Sequence, residues 1–171
     1  QEDPSARLVL PPDRIAHRAV AVSPDGSMLA FVAQTGTGVP QLYVRRLEQL
    51  RATPLSGTDG ARNPFFSPDG QWVAFFSGGK LKKISVTGGA AVTICDAPND
   101  RGGSWIENDT IAFVADAQTG VSRVSSAGGK PDPLTTLGKG EVTERYPQVL
   151  PGSKAVLFTS HVSTGGFEDA D

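Results

Sequence analysis

Two histidines, His17 and His161, and one cysteine, Cys95, are the only imidazole and thiol groups in this sequence. Neither histidine accompanies a Gly-x-Ser-x-Gly stretch, so a nucleophilic triad is not expected. His161 is read as the end of a strand, and His17 as a loop residue. Ser77-Gly78-Gly79-Lys80 has the glycines and lysine of a phosphate cradle but lacks its leading glycine and the hydroxyl residue after the lysine, so it reads as a hairpin. Gly88-Gly89 and Gly128-Gly129 read as turns. Asp25 and Asp69 are candidates for paired-carboxylate chemistry. Each, however, sits in a Ser-Pro-Asp-Gly step whose carboxylate is needed by the backbone, and the structural role is preferred. Glu168, Asp169 and Asp171 lack the glycine-bearing loop of a calcium site and read as a solvated end. Cys95 reads as a small apolar residue of a strand, and a lone cysteine rules out an internal disulfide. No catalytic residue, metal or cofactor is expected.

The elements that must position any remaining chemistry announce themselves by repetition. Ser67-Pro68-Asp69-Gly70 lies between Phe65-Phe66 and the strand-like Trp72 to Phe75, and Ser23-Pro24-Asp25-Gly26 repeats the arrangement 44 residues earlier. Proline presets φ at the second turn position, aspartate bonds back to the chain, and glycine accepts the positive φ that closes a hairpin. Weaker copies surround Trp105 and Pro151-Gly152, so that Phe31, Phe75, Phe113 and Phe158 recur at steps of 44, 38 and 45 residues. Third strands are expected in "QLYVRRL", "KLKKISVTGG" and "VSRVSSAGG", and short fourth strands in "ATPL", "AVTICD" and "DPLTT". Four strands in about 40 residues is the pattern of a β-propeller blade.

The predicted fold is therefore all-β, an arc of about 3.5 four-stranded antiparallel blades. Its repeats are expected at about 14–57, 58–97, 98–138 and 139–171, the last incomplete, with 1–13 as an N-terminal extension. "ARLVL" in that extension is a candidate outer strand for the last blade. Three readings of the blade count stay open: a fragment of a longer chain, a half-ring completed by a second copy, and a tight four-bladed ring.

One pattern suggests function. Arg18, Arg62 and Arg145 each stand five residues before the Ser-Pro or Leu-Pro step, and the third repeat offers Asp100 with Arg101 beside it. In a propeller this is where the chain enters the innermost strand, near one mouth of the central channel. Arg18, Arg62, Arg101 and Arg145 are thus candidates for a basic rim that holds an anionic ligand or a partner's carboxylates by bidentate contacts. The competing reading makes each arginine a bridge between blades, paired with an acid such as Glu144 or Asp59.

Composition narrows the rest. The 171 residues carry 20 glycines and 13 prolines, which suits short strands joined by many turns. A formal net charge of −2 gives no pull toward nucleic acid or an anionic membrane, and no apolar run is long enough to span a bilayer. Neither nucleic-acid binding nor membrane insertion is expected.

The stretches "VSPDGSMLAFVA…QLYVRRL" and "NPFFSPDGQWVAFFSGGKLKKISVTGG" resemble the WD40-like (PD40) repeats of TolB-type β-propellers. The resemblance runs from about Leu8 to Asp171 and is closest to the propellers attached to bacterial serine/threonine protein kinases. The third repeat departs from the pattern at Ile106-Glu107-Asn108, and the fourth keeps only Pro151-Gly152. The resemblance implies a non-catalytic module that binds a ligand or a protein, in a periplasmic or extracytoplasmic setting, as the sensor part of a kinase-linked protein. The alternative is an accessory or gating propeller of a serine peptidase or other multidomain enzyme. No kinase motif lies in these residues, so any such activity belongs to residues outside them.

Overall fold

The computed structural model describes residues 6–8, 19–107, 109–152 and 154–162, and these form four antiparallel sheets. The first contains β1 (Ala6–Leu8), β2 (Val20–Val22), β3 (Met28–Thr35), β4 (Gln41–Arg46) and β5 (Thr53–Pro54). The second runs β6 (Arg62–Phe66), β7 (Trp72–Ser77), β8 (Lys80–Ser85), β9 (Val92–Asp96). The third runs β10 (Gly103–Ile106), β11 (Thr110–Phe113), β12 (Ser122–Ser125), β13 (Asp132–Pro133), and the fourth pairs β14 (Thr143–Val149) with β15 (Val156–His161). Strand order within each sheet follows the chain, apart from β1, and the inner strands lie side by side in the order β2, β6, β10, β14. This is an arc of β-propeller blades. Among the described residues no helix is long and apolar enough to cross a membrane.

The hairpins close by the chemistry of their turns. Gln71 N donates to the Asp69 carboxylate at 2.9 Å, Trp72 N donates to Ser67 Oγ at 2.9 Å, and Gly70 takes φ +69°. In the first sheet Ser27 N bonds Asp25 at 3.0 Å, Met28 N bonds Ser23 Oγ at 2.8 Å, and Gly26 takes φ +72°. The fourth sheet keeps the closure with fewer parts: Leu150 N donates to Ala155 O at 2.9 Å.

Alternation along the second strand of each blade builds the core between blades. Ala30 and Phe75 share one buried cluster between the first two sheets, and Ala74 and Phe113 share the next. A small residue facing forward thus meets a ring facing backward, which fills the space without overpacking. The third interface holds a smaller cluster of Ala112, Val114 and Val121, with Val149 packed against it.

Residues 6–8 depart from expectation. They pair with β3 as Ala6 to Thr35 and Leu8 to Ala33, on the edge where Val20 to Val22 pair with Phe31 to Leu29. Ala6–Leu8 of "ARLVL" therefore pair on the inner edge of the first blade and not on the outer edge of the last, and Val9 and Leu10 lie outside the described residues. The cause is the length of β3: its eight residues outrun the three of β2 and leave ladder groups that β1 satisfies.

Candidate functional site

The four inner strands converge on an axial cavity of about 750 Å³. Its wall is drawn from every blade, with Val22, Pro64, Phe65, Trp105 and Val149 among the lining residues and Ser104, Glu107 and Gln148 supplying polar groups. Prolines 24, 68 and 151 from three of the hairpin turns border it, so this mouth lies at the turn end of the inner strands. Fixed-φ prolines and ring side chains make the apolar part of this wall rigid, and polar groups make up the rest.

The arginines lie at the opposite end. Arg62, Arg101 and Arg145 occupy one template position, each followed by a residue with positive φ: Asn63 at 49°, Gly102 at 87° and Tyr146 at 51°. In β6 and β14 that residue sits within a β-bulge, between Arg62 and Phe65 and between Arg145 and Gln148. The bulge re-aims the side chains at the strand entrance. Gly102 is obligatory for a second reason, because a Cβ there would lie 2.9 Å from Tyr146 Cδ1.

What those arginines touch differs from one blade to the next. Arg62 Nε donates to Asp100 Oδ1 at 2.6 Å, and Asn63 Nδ2 donates to Asp100 Oδ2 at 2.7 Å. The buried Asp100 thus clamps the second blade to the third, so Arg62 does bridge blades, through Asp100 and not through Asp59 or Glu144. Glu144 instead accepts from Val121 N at 2.9 Å and from the Thr135 hydroxyl, which ties the fourth blade to the third. Thr58 does similar work between the first two, accepting from Leu42 N at 2.9 Å and donating to Leu55 O at 2.6 Å.

Arg101 turns back on its own segment, where Nη1 donates to Asn99 O, Asn99 Oδ1 and Asp100 O at 3.1, 3.1 and 2.8 Å. It is only 6% exposed, and its Nε meets no acceptor. Arg145, 3% exposed, lies within reach of the Arg101 charge. Burial first, and that charge second, push its pKa below the usual arginine value. His161 is buried beside Arg145, and desolvation followed by the Arg145 charge lowers its pKa. Arg101 and Arg145 are thus both buried, whereas the Arg62 side chain is 31% exposed. Arg18 and His17 lie outside the described residues, as do Glu168, Asp169 and Asp171.

Other candidates have structural surroundings. Asp25 is held down to about 2 by the Ser23 hydroxyl, then by Ser27 N and the Ser27 hydroxyl, and Asp69 is lowered by the Ser67 hydroxyl and Gln71 N. Cys95 lies half-buried in β9, where desolvation and then Asp96 push its thiol up to about 11, away from the reactive thiolate. Among the described residues no three His, Cys, Asp or Glu side chains stand together as a metal site.

A feature that the sequence reading passed over lies between the second and third blades. There a groove of about 260 Å³ is lined by Trp72, Lys83, Trp105, Asp69, Glu107 and Asp109, among others. Lys83 Nζ stands 4.8 Å from the centre of the Trp72 ring, and Trp105 packs edge-on against Phe65 with centroids 6.4 Å apart. The Trp105 indole N–H is buried without an acceptor, which costs about 1–3 kcal/mol. The available signal was the presence of just two tryptophans, one next to the hairpin turn of the second repeat and one next to the degenerate turn of the third.

No protein-family model matches this chain, nor does any curated protein. Solved structures do. A TolB candidate from Agrobacterium tumefaciens superposes with a TM-score of 0.73 at 15% identity, over 90% of this chain and 57% of that one. TolB from Acinetobacter baumannii gives 0.61 at 20% identity, over 86% and 41%. A puromycin hydrolase, an S511A mutant complexed with PGG, gives 0.61 at 18% identity over 83% of this chain and 24% of the hydrolase. The fold is that of a TolB-like β-propeller. This chain spans about half the length of the TolB structures it matches.

Proposed function

We propose that this chain is a non-catalytic binding module that receives a ligand or a partner's segment along the axis of the arc. The observation that carries the reading is the cavity of about 750 Å³ to which all four inner strands contribute. Rigid blades hold its wall, and the rings and prolines at the turn end would grip by burial. The setting is extracytoplasmic, on the similarity to TolB structures. The role is that of the sensing part of a kinase-linked protein, on the repeat's resemblance to such propellers.

The superposition on puromycin hydrolase favours a second reading, a propeller that gates a hydrolase active site. The polypeptide encoded alongside these repeats discriminates between the two: kinase motifs support the first, and a Gly-x-Ser-x-Gly nucleophile elbow followed by aspartate and histidine supports the second.

The binding reading is tested with anilinonaphthalene sulfonate, which joins an apolar ring system to one negative charge. Val22 lines the cavity and is 58% exposed, so Val22→Tyr narrows the cavity without disturbing a buried contact. Saturable probe fluorescence that is lost in Val22→Tyr, with an unchanged circular dichroism spectrum, is the expected result. Equal fluorescence in both proteins removes the axial cavity as the site. Turnover of p-nitrophenyl acetate that disappears in His161→Gln would overturn the non-catalytic assignment.

A further inference from the structure

The groove between the second and third blades is placed where the repeat breaks. At the matching place between the first two blades Met28 holds the template position of Trp72. Its side chain reaches the next turn, so that a Cβ on Gly70 would lie 3.9 Å from Met28 Cε. In the second blade Trp72 replaces that flexible filler, and in the third Glu107 replaces the turn proline while Asp109 takes φ +56°. The opening that results is walled by both indoles of the chain and rimmed by Asp69, Glu107 and Asp109, with Lys83 as the cation.

Its chemistry restricts what fits. The carboxylates accept hydrogen bonds, whereas the buried Trp105 N–H needs an acceptor. An ammonium ligand donates to carboxylates but offers nothing to an indole N–H. A phosphate or carboxylate ligand accepts from the indole but must sit among three like charges. A neutral ring bearing several hydroxyl groups does both, since each hydroxyl donates and accepts, and its C–H face packs on an indole.

We infer that this groove binds one sugar ring of a neutral glycan, with Trp72 and Trp105 as the packing walls and Asp69, Glu107 and Asp109 as hydroxyl acceptors. Trp105, 8% exposed, turns its indole edge on binding so that its N–H donates to a sugar oxygen, and Lys83, which stands over the Trp72 ring, donates to another. The about 260 Å³ of the groove suits a single ring. Trp105 and Glu107 also border the axial cavity, whereas Trp72, Lys83 and Asp109 do not. The inference stands apart from the axial reading, and the two can fail separately.

Both tryptophans line the site, so their emission reports on it directly. The whole chain, excited at a wavelength selective for tryptophan, is titrated with glucose and with N-acetylglucosamine, and in parallel with sorbitol and tetramethylammonium chloride. The expected result is a saturable change with at least one of the two pyranoses and none with sorbitol or the ammonium salt. Trp105→Phe keeps a ring but removes the donor and should weaken binding about tenfold. Asp109→Asn changes an exposed residue, so a folded protein with weaker binding is expected even if Trp105→Phe fails to fold. Val22→Tyr should leave the sugar response unchanged. No saturable response to either pyranose overturns the inference. A response to tetramethylammonium alone makes the groove a cation site and overturns it equally, as does full binding by folded Asp109→Asn.

Discussion

The second strands of the second and fourth blades, β7 and β15, occupy the same place in the repeat and live in different surroundings. In β7 Val73, Ala74, Phe75 and Phe76 are all fully buried. In β15 Leu157 is 58% exposed and Phe158, the in-phase counterpart of Phe75, is 37% exposed. The strand sequences do not account for this, because in phase "VAFFS" and "VLFTS" both begin with three apolar residues, and it is among those that the exposure differs. β7 has a strand on each edge and a packed sheet on each face, whereas among the described residues β15 pairs with β14 alone. In a radial repeat each unit is buried by its neighbours, so burial belongs to the array and not to the strand.

The largest effect that tests this comparison is a pair of identical truncations. Phe75→Ala removes a ring enclosed by two sheets and should cost about 3–5 kcal/mol, whereas Phe158→Ala should cost about 1 kcal/mol, since much of its ring already meets water. Urea denaturation monitored by circular dichroism reads both. Equal losses would mean that β15 is covered in solution by something that buries it as fully as β8 and the next blade bury β7.

The interblade clamps offer a smaller contrast. Asp100→Asn keeps the shape of the side chain but leaves Arg62 without its counter-charge, and should cost about 1–3 kcal/mol. The Arg62 side chain is 31% exposed, so water takes up part of that loss. Glu144→Gln retains a carbonyl acceptor for Val121 N and should cost less, about 1 kcal/mol. If Glu144→Gln proves the more damaging, the fourth blade depends on its clamp more than the second does on its own.

These contrasts also mark where the sequence could be read and where it could not. The hairpin turns were legible because Pro, Asp and Gly each have a local reason to stand where they do, and the phase of the four phenylalanines set the blades. The Arg62–Asp100 clamp was not legible, because its partners are 38 residues apart and only the stacking of blades brings them together. The positive φ at Tyr146 carries no residue-type signal, since tyrosine has no preference for it. Two of the four rim candidates, Arg101 and Arg145, are buried, and the bulge that follows Arg145 in β14 is not visible in sequence spacing. The place of residues 6–8 depended on the length of β3 relative to β2, which the repeat pattern leaves open.

The smallest predicted effect lies in the response to acid. His161 is buried in β15 beside Arg145, and the in-phase residue of the second blade is Gly78, which cannot titrate. Desolvation and the Arg145 charge lower the His161 pKa in the folded protein, so the unfolded chain takes up this proton more readily. The stabilisation from keeping the imidazole neutral is therefore fully present above the unfolded pKa near 6.5, and is lost as pH falls from there through the folded value. Glu141, lowered by the Ser160 hydroxyl and then by Gly138 N, acts in a separate window, since its contribution disappears only as pH falls below its ordinary value of 4.5. Melting temperatures between pH 8 and pH 5 should thus decline for the unaltered chain and be flatter for His161→Gln. The same variant should leave the decline below pH 4.5 in place. A decline between pH 7 and pH 5 that persists in His161→Gln would remove the buried imidazole as its source and with it this difference between the blades.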